Sequence, residues 1–75
     1  MIARPTQNET RIDVFGYTYF FSYITCIAFI TPEGELFITE NKWGNTTGKH
    51  INNVDRDKER RLPYHEFLEE LHKHS

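Results

Sequence analysis

The sequence predicts an α+β domain: a small antiparallel β-meander of three to four strands, then a short helix, then a C-terminal amphipathic helix packed on the sheet. Three observations carry this. Residues 17–23, YTYFFSY, are dense in β-favouring aromatics. Residues 31–34, TPEG, form a turn signal between the apolar runs CIAFI and ELFIT. Near the C-terminus, LPYHEFLEELHKHS places Tyr64, Phe67, Leu68 and Leu71 at i, i+3, i+4 and i+7, the stripe of a helix with one apolar face. Strand signals come first and helix signals after, the order of an α+β fold.

Taken along the chain, residues 1–9 read as a flexible arm without the apolar stretch of a secretory signal, and residues 10–75 as one domain. RIDVF alternates, with Ile12 and Val14 on one side, until Gly16 interrupts it. In the next strand Tyr17, Tyr19, Phe21 and Tyr23 fall on one face and Phe20 on the other. In the TPEG hairpin Pro32 is preset for the second turn position and Gly34 is free to take positive φ. Asn45 or Thr46 is positioned to cap a short helix whose inward residues are Thr47, Ile51 and Val54, with Gly48 weakening it. A polar loop follows. Pro63 suits the first position of the last helix, and Lys73, with His72 and His74 when protonated, suits its negative end.

Composition narrows the function classes. Seventy-five residues make one small domain, which buries only about 60 % of its unfolded surface. Aromatic residues, at 15 %, supply much burial per side chain, and self-association into a homodimer is the other common remedy for a small core. Cys26 is the only cysteine, so neither an internal disulfide nor a four-cysteine zinc site forms, and a lone mid-strand thiol suits a reducing cytoplasm. No apolar run approaches the roughly 18 residues that span a bilayer, so no membrane partner is expected. The net charge of −2 argues against coating nucleic acid by bulk electrostatics. From Lys42 to Arg61, however, six basic residues meet three acidic ones, leaving +3 there and −5 elsewhere. Runs such as DRDKERR are ordinarily solvated loops.

The motifs of catalysis are missing, and the expectation is a protein that is not an enzyme and uses no cofactor. TTGKH lacks the upstream glycine and the following Ser/Thr of a phosphate loop. Neither Ser22 nor Ser75 has a nucleophile elbow, Cys26 sits where a strand shields it, and the acids are scattered. His65, His72 and His74 are never three or four residues apart, as a helical zinc pair requires, and read as solvated histidines at a helix end.

Two stretches remain as candidate sites. In NKWGNTTGKH, residues 41–50, Thr46 and Thr47 bring hydroxyls and free N–H groups to a helix start beside Lys49 and His50, a combination suited to an anion. Trp43 beside them suits stacking on a base or docking in a partner's pocket. The plainer reading makes this a junction: Asn45 or Thr46 the cap, Trp43 mostly buried, Lys49 in solvent, and Lys49 with His50 left over for any function. The second candidate is the aromatic face of Tyr17, Tyr19 and Tyr23. One helix pair covers one side of a sheet, so the other side would be a platform for nucleic acid or a partner, assisted by Lys42, Arg56, Lys58, Arg60 and Arg61. The plainer reading puts the tyrosines in the core or a dimer seam.

FSYITCIAF followed by GELFITENKWGNTTGKHINNVD resembles a family of small uncharacterised proteins of bacteriophages and bacterial accessory genomes. Its pattern is Ser-Tyr-x-Thr-x-x-Ala, then Glu-Asn-x-Trp, then Thr-Thr-Gly-Lys-His-x-Asn. Ser22, Tyr23, Thr25 and Ala28 match the first part; Glu40, Asn41, Trp43, Thr46, Thr47, Gly48, Lys49, His50 and Asn52 match the rest. Cys26 and Ile24 depart from it. The resemblance implies origin more than mechanism. Joined to a lack of catalytic motifs, it favours a non-catalytic phage-type protein that docks on a host nucleic-acid-processing or defence complex and inhibits or adapts it. Direct nucleic-acid binding through residues 42–61 and the aromatic face, and a self-associating structural component, are the alternatives.

Overall fold

The computed structural model describes residues 8–74, together with the backbone of Ile2–Ala3. The strands are β1 (Ile2–Ala3), β2 (Glu9–Val14), β3 (Tyr17–Ser22), β4 (Thr25–Ile30), β5 (Leu36–Thr39) and β6 (Arg61–Leu62). Helix α1 (Asn45–Val54) and a 3-10 turn (Lys58–Arg60) lie between β5 and β6, and α2 (Tyr64–Lys73) closes the chain. The sheet order follows the sequence, β1 to β6. Of the stretch expected as an arm, residues 1 and 4–7 lie outside the described residues. The backbone of Ile2–Ala3 pairs with Arg11 and Ile12, and Glu9 opens β2.

Each hairpin follows from its turn. Phe15 and Gly16 both take positive φ, at 51° and 84°, and join Val14 to its partner Tyr17 in a two-residue loop. Tyr23 and Ile24 form an equally short loop, with Tyr23 at φ 57° and its N–H donating to the Asn8 carbonyl at 2.7 Å. The TPEG turn is as expected: the Gly34 N–H donates to the Thr31 carbonyl at 2.9 Å, and Gly34 sits at φ 90°. Between Phe20 and Phe21 the register slips, with Phe20 opposite Ala28 and Phe21 opposite Cys26. Ile27 is therefore an extra, bulged residue, and it is buried.

Two features of the expected sheet are corrected. Among the described residues it has six strands rather than three or four, and it is mixed, because β6 runs parallel to β5 with Ile38 opposite Arg61 and Thr39 opposite Leu62. A parallel return needs a long crossover, and α1 with the 3-10 turn provides it. Arg61–Leu62 is too short to leave a period in the sequence.

The helices take opposite faces of the sheet, which is a further correction. On one face Ile27, Ala28 and Ile38 pack against Ile51 of α1, flanked by Phe20, Leu36 and Val54. On the other, Phe29 meets Phe67 of α2 at 5.8 Å between ring centres and Phe37 at 4.9 Å. Tyr17 and Tyr19, stacked at 5.9 Å, share that second face, and the Tyr17 hydroxyl meets His74 Nδ1 at 3.1 Å. Burial there pushes the Tyr19 phenol above its usual pKa. The tyrosine strand is thus not an open platform. His74, expected as a solvated histidine, sits among Tyr17, Phe29 and Phe37. Cys26 donates weakly to the Ala28 carbonyl, and burial pushes its thiol up to about 11, so it stays protonated at neutral pH.

Of the α2 stripe, Phe67 is fully buried, while Tyr64, Leu68 and Leu71 are half-buried. Phe67→Ala removes the ring that ties α2 to β4. It should cost about 3 to 5 kcal/mol, a large part of the stability of so small a domain. Chemical denaturation measures this, and an unchanged midpoint would place α2 outside the core.

Candidate functional site

The junction between β5 and α1 is built by Asn41. Its Oδ1 accepts from the Trp43 N–H at 3.0 Å and its Nδ2 donates to the Gly44 carbonyl at 3.1 Å. That same carbonyl accepts the first helical bond, from the Gly48 N–H at 2.9 Å. A Cβ on Gly48 would lie 2.8 Å from Asn41 Nδ2, so the glycine makes room for the amide that folds the turn. The expected cap is corrected: Gly44 holds the N-cap position in extended conformation without a side-chain cap, and Asn45 and Thr46 are already helical and exposed. Trp43 is also corrected. It is 40 % exposed, braced edge-to-face by Tyr64 at 5.1 Å, and absent from the core cluster.

The inner side of α1 carries a polar node. Ser22 Oγ, at the end of β3, lies 2.6 Å from His50 Nδ1 and 3.0 Å from Thr47 Oγ1. All three residues are buried, and the Tyr23 ring lies against His50 at 6.1 Å. His50, expected to be free for function, is therefore part of the packing. A serine hydroxyl bonded to an imidazole has the spacing of a nucleophile and base. Here Ser22 is 2 % exposed, so no substrate reaches it in this conformation and the pair joins helix to sheet. One turn on, Asn53 Nδ2 donates to buried Glu9 at 2.9 Å.

The outer side of α1 forms a cleft with the segment that follows it. One lobe, about 550 Å³, is lined by Asn41, Asn45, Gly48, Lys49, Asn52, Lys58 and Arg61. A second, about 400 Å³, shares Lys49, Asn52 and Lys58 and adds Asn53 and Arg56. No carboxylate lines either lobe. The mixed run DRDKERR has been sorted in space. Arg60 faces Asp55 at 3.9 Å and Asp57 at 3.6 Å, and both carboxylates also accept backbone N–H groups of their own loop. Arg61 donates through Nη2 to Asn52 and to the Asp55 carbonyl, and its Nε is buried without a hydrogen-bond partner among the described residues. Lys49, Arg56, Lys58 and Arg61 thus converge without a neutralising acid among the lining residues, an arrangement suited to a polyanion.

The residues expected to act together are divided among five places. Lys49, Arg56, Lys58 and Arg61 share the cleft; Lys42 sits over Tyr64 at 4.8 Å beside Trp43. Thr47 and His50 lie beneath α1, and Tyr17 and Tyr19 lie under α2. Tyr23 is half-exposed at a hairpin tip. Asn45 was read as a cap candidate and Asn41 and Asn52 as motif matches, none of them as a site residue, and Asn53 was passed over, although four asparagines within thirteen positions were a signal. Among the described residues, no three His, Cys, Asp or Glu side chains gather where they could share a metal ion. No helix there is long and apolar enough to cross a membrane.

Fold and cleft define a small α+β domain with a cation-lined cleft beside one helix. The chain belongs to a family of unknown function, DUF8033, whose model matches residues 3–69. Comparison with curated proteins and with solved structures gives no match.

The Asn41–Gly48 contact generates a coupling test. A glycine in a helix interior replaced by alanine ordinarily gains about 1 kcal/mol. Gly48→Ala alone should lose that gain, because Asn41 must move; in an Asn41→Ala background the gain should return. Thermal melts of the four proteins measure the coupling, and equal effects of Gly48→Ala in both backgrounds would remove the contact from the account.

Proposed function

We propose that this protein is a non-catalytic binding module that takes the phosphate backbone of a nucleic acid in the cleft beside α1. The observation that carries the reading is the sorting of charge: Lys49, Arg56, Lys58 and Arg61 line the cleft while Arg60 pairs with Asp55 and Asp57. Phosphates need convergent cations and polar donors, and the cleft offers both. The overall charge of −2 sets the character of the interaction. Attraction is local to one surface, so binding should be modest and strongly dependent on salt rather than an indiscriminate coating.

A second reading rests on the hairpin tips. Phe15 is 95 % exposed and Ile24 94 %, both large apolar side chains held out by tight turns. Such residues suit insertion into a protein partner. In that reading the chain, of the phage or accessory-genome origin its motifs suggest, occupies a surface on a nucleic-acid-processing or defence complex.

Salt dependence decides between them. With nucleic acid in the cleft, the logarithm of affinity should fall linearly with the logarithm of salt concentration, and Lys49→Ala should reduce the slope by about one unit while leaving the melting temperature unchanged. Fluorescence anisotropy with labelled oligonucleotides measures both. Absence of binding to single- and double-stranded probes at low salt would remove the cleft reading and leave the protein-docking one.

A further inference from the structure

We infer that the nucleic acid taken by this cleft is single-stranded, with one unpaired base stacked on Trp43, two residues along the chain from the cleft residue Asn41. The inference rests on the cleft reading and adds what the cleft alone does not specify. Three observations carry it. Trp43 is 40 % exposed, although a ring of that size in so small a domain would ordinarily serve the core. The ring is nevertheless braced, because Tyr64 meets it edge-to-face at 5.1 Å, and the Trp43 backbone N–H donates to Asn41 Oδ1 at 3.0 Å. Asn41 also lines the larger lobe of the cleft, so the stacking ring and the cations are joined by one side chain.

The surroundings of the ring suit an unpaired nucleotide. Lys42 Nζ lies 6.0 Å from the Trp43 ring centre and 4.8 Å from that of Tyr64, a cation placed to meet the phosphate flanking a stacked base. Asn45, exposed at the start of α1 and lining the cleft, carries an amide able both to donate and to accept at a base edge. A duplex hides its base faces within the stack, so only a single strand, a loop or an unpaired end can use the ring. A purely structural Trp43, there to pack against Tyr64, would give no preference between strands.

Trp43 is the only tryptophan in the chain, so its fluorescence reports stacking directly. The experiment titrates the full chain with an oligothymidylate, an oligouridylate of equal length, and a duplex, following tryptophan emission and anisotropy together. The expected result is quenching by at least one of the single strands but not by the duplex, and tighter binding of that strand. Trp43→Ala should weaken single-strand binding by about 5- to 150-fold, the effect of one base–aromatic stack, while leaving duplex binding unchanged. Trp43→Phe, which keeps a ring against Tyr64, should retain most of the affinity and guards against a loss caused by unfolding. Single-strand binding that falls with Lys49→Ala, yet neither quenches the emission nor responds to Trp43→Ala, would overturn stacking and leave the cleft reading standing. Failure of all three probes to bind would overturn both.

Discussion

Ser22, the last residue of β3, faces α1 and meets two of its side chains at once, His50 Nδ1 at 2.6 Å and Thr47 Oγ1 at 3.0 Å. The three groups are removed from water, where a polar atom left unpaired costs about 1 to 3 kcal/mol. Their mutual bonds therefore specify how α1 sits on the sheet more sharply than apolar contact alone. Ile51 supplies the burial, and the node supplies the register. Rotating the helix by one residue, about 100°, would break both bonds and turn a different set of side chains toward the sheet. With the inner side fixed, Asn45, Lys49 and Asn52 line the cleft on the outer side. Gly48 fixes the start of the same helix from another direction by admitting Asn41.

A chain of this length without disulfides among its means of support needs both faces of its sheet covered. The two helices divide that task by chemistry. The α1 face is aliphatic, around Ala28, Ile38 and Ile51; the α2 face is aromatic, with Phe29 touching Tyr19, Phe37, Phe67 and His74. The bulge at Ile27 reconciles the two by adding one buried residue to the α1 side. Not every apolar residue is absorbed. Phe15 and Ile24 remain exposed at the hairpin tips.

The TPEG hairpin and the α2 stripe were legible in the sequence because each depends on local chemistry: a proline and a glycine at set positions, and a helical period. The inward set Thr47, Ile51 and Val54 was legible for the same reason, and the structure turns Thr47 and Ile51 fully inward. What the sequence could not show was pairing at a distance. The parallel β6 has only Arg61 and Leu62, and the placement of α1 and α2 on opposite faces depends on a crossover that no residue announces. His50 was misjudged because a histidine beside a lysine at a helix start looks like a free polar group. Its buried partner, Ser22, is 28 residues away. The cleft escaped notice because DRDKERR reads as a balanced run, and only folding pairs Arg60 with Asp55 and Asp57 and brings Arg56, Lys58 and Arg61 to the cleft.

The cleft and the exposed Trp43 are consequences of how α1 is held, so the account stands on the bond between Ser22 and His50. A double-mutant cycle of Ser22→Ala and His50→Ala, read by equilibrium denaturation, measures that bond free of the cavity each substitution leaves. The account predicts a coupling free energy of about 1 to 3 kcal/mol, the size of a buried hydrogen bond whose loss strands its partner. Additive effects, with coupling near zero, would contradict it and leave the position of α1 to Ile51 and its other contacts with the sheet.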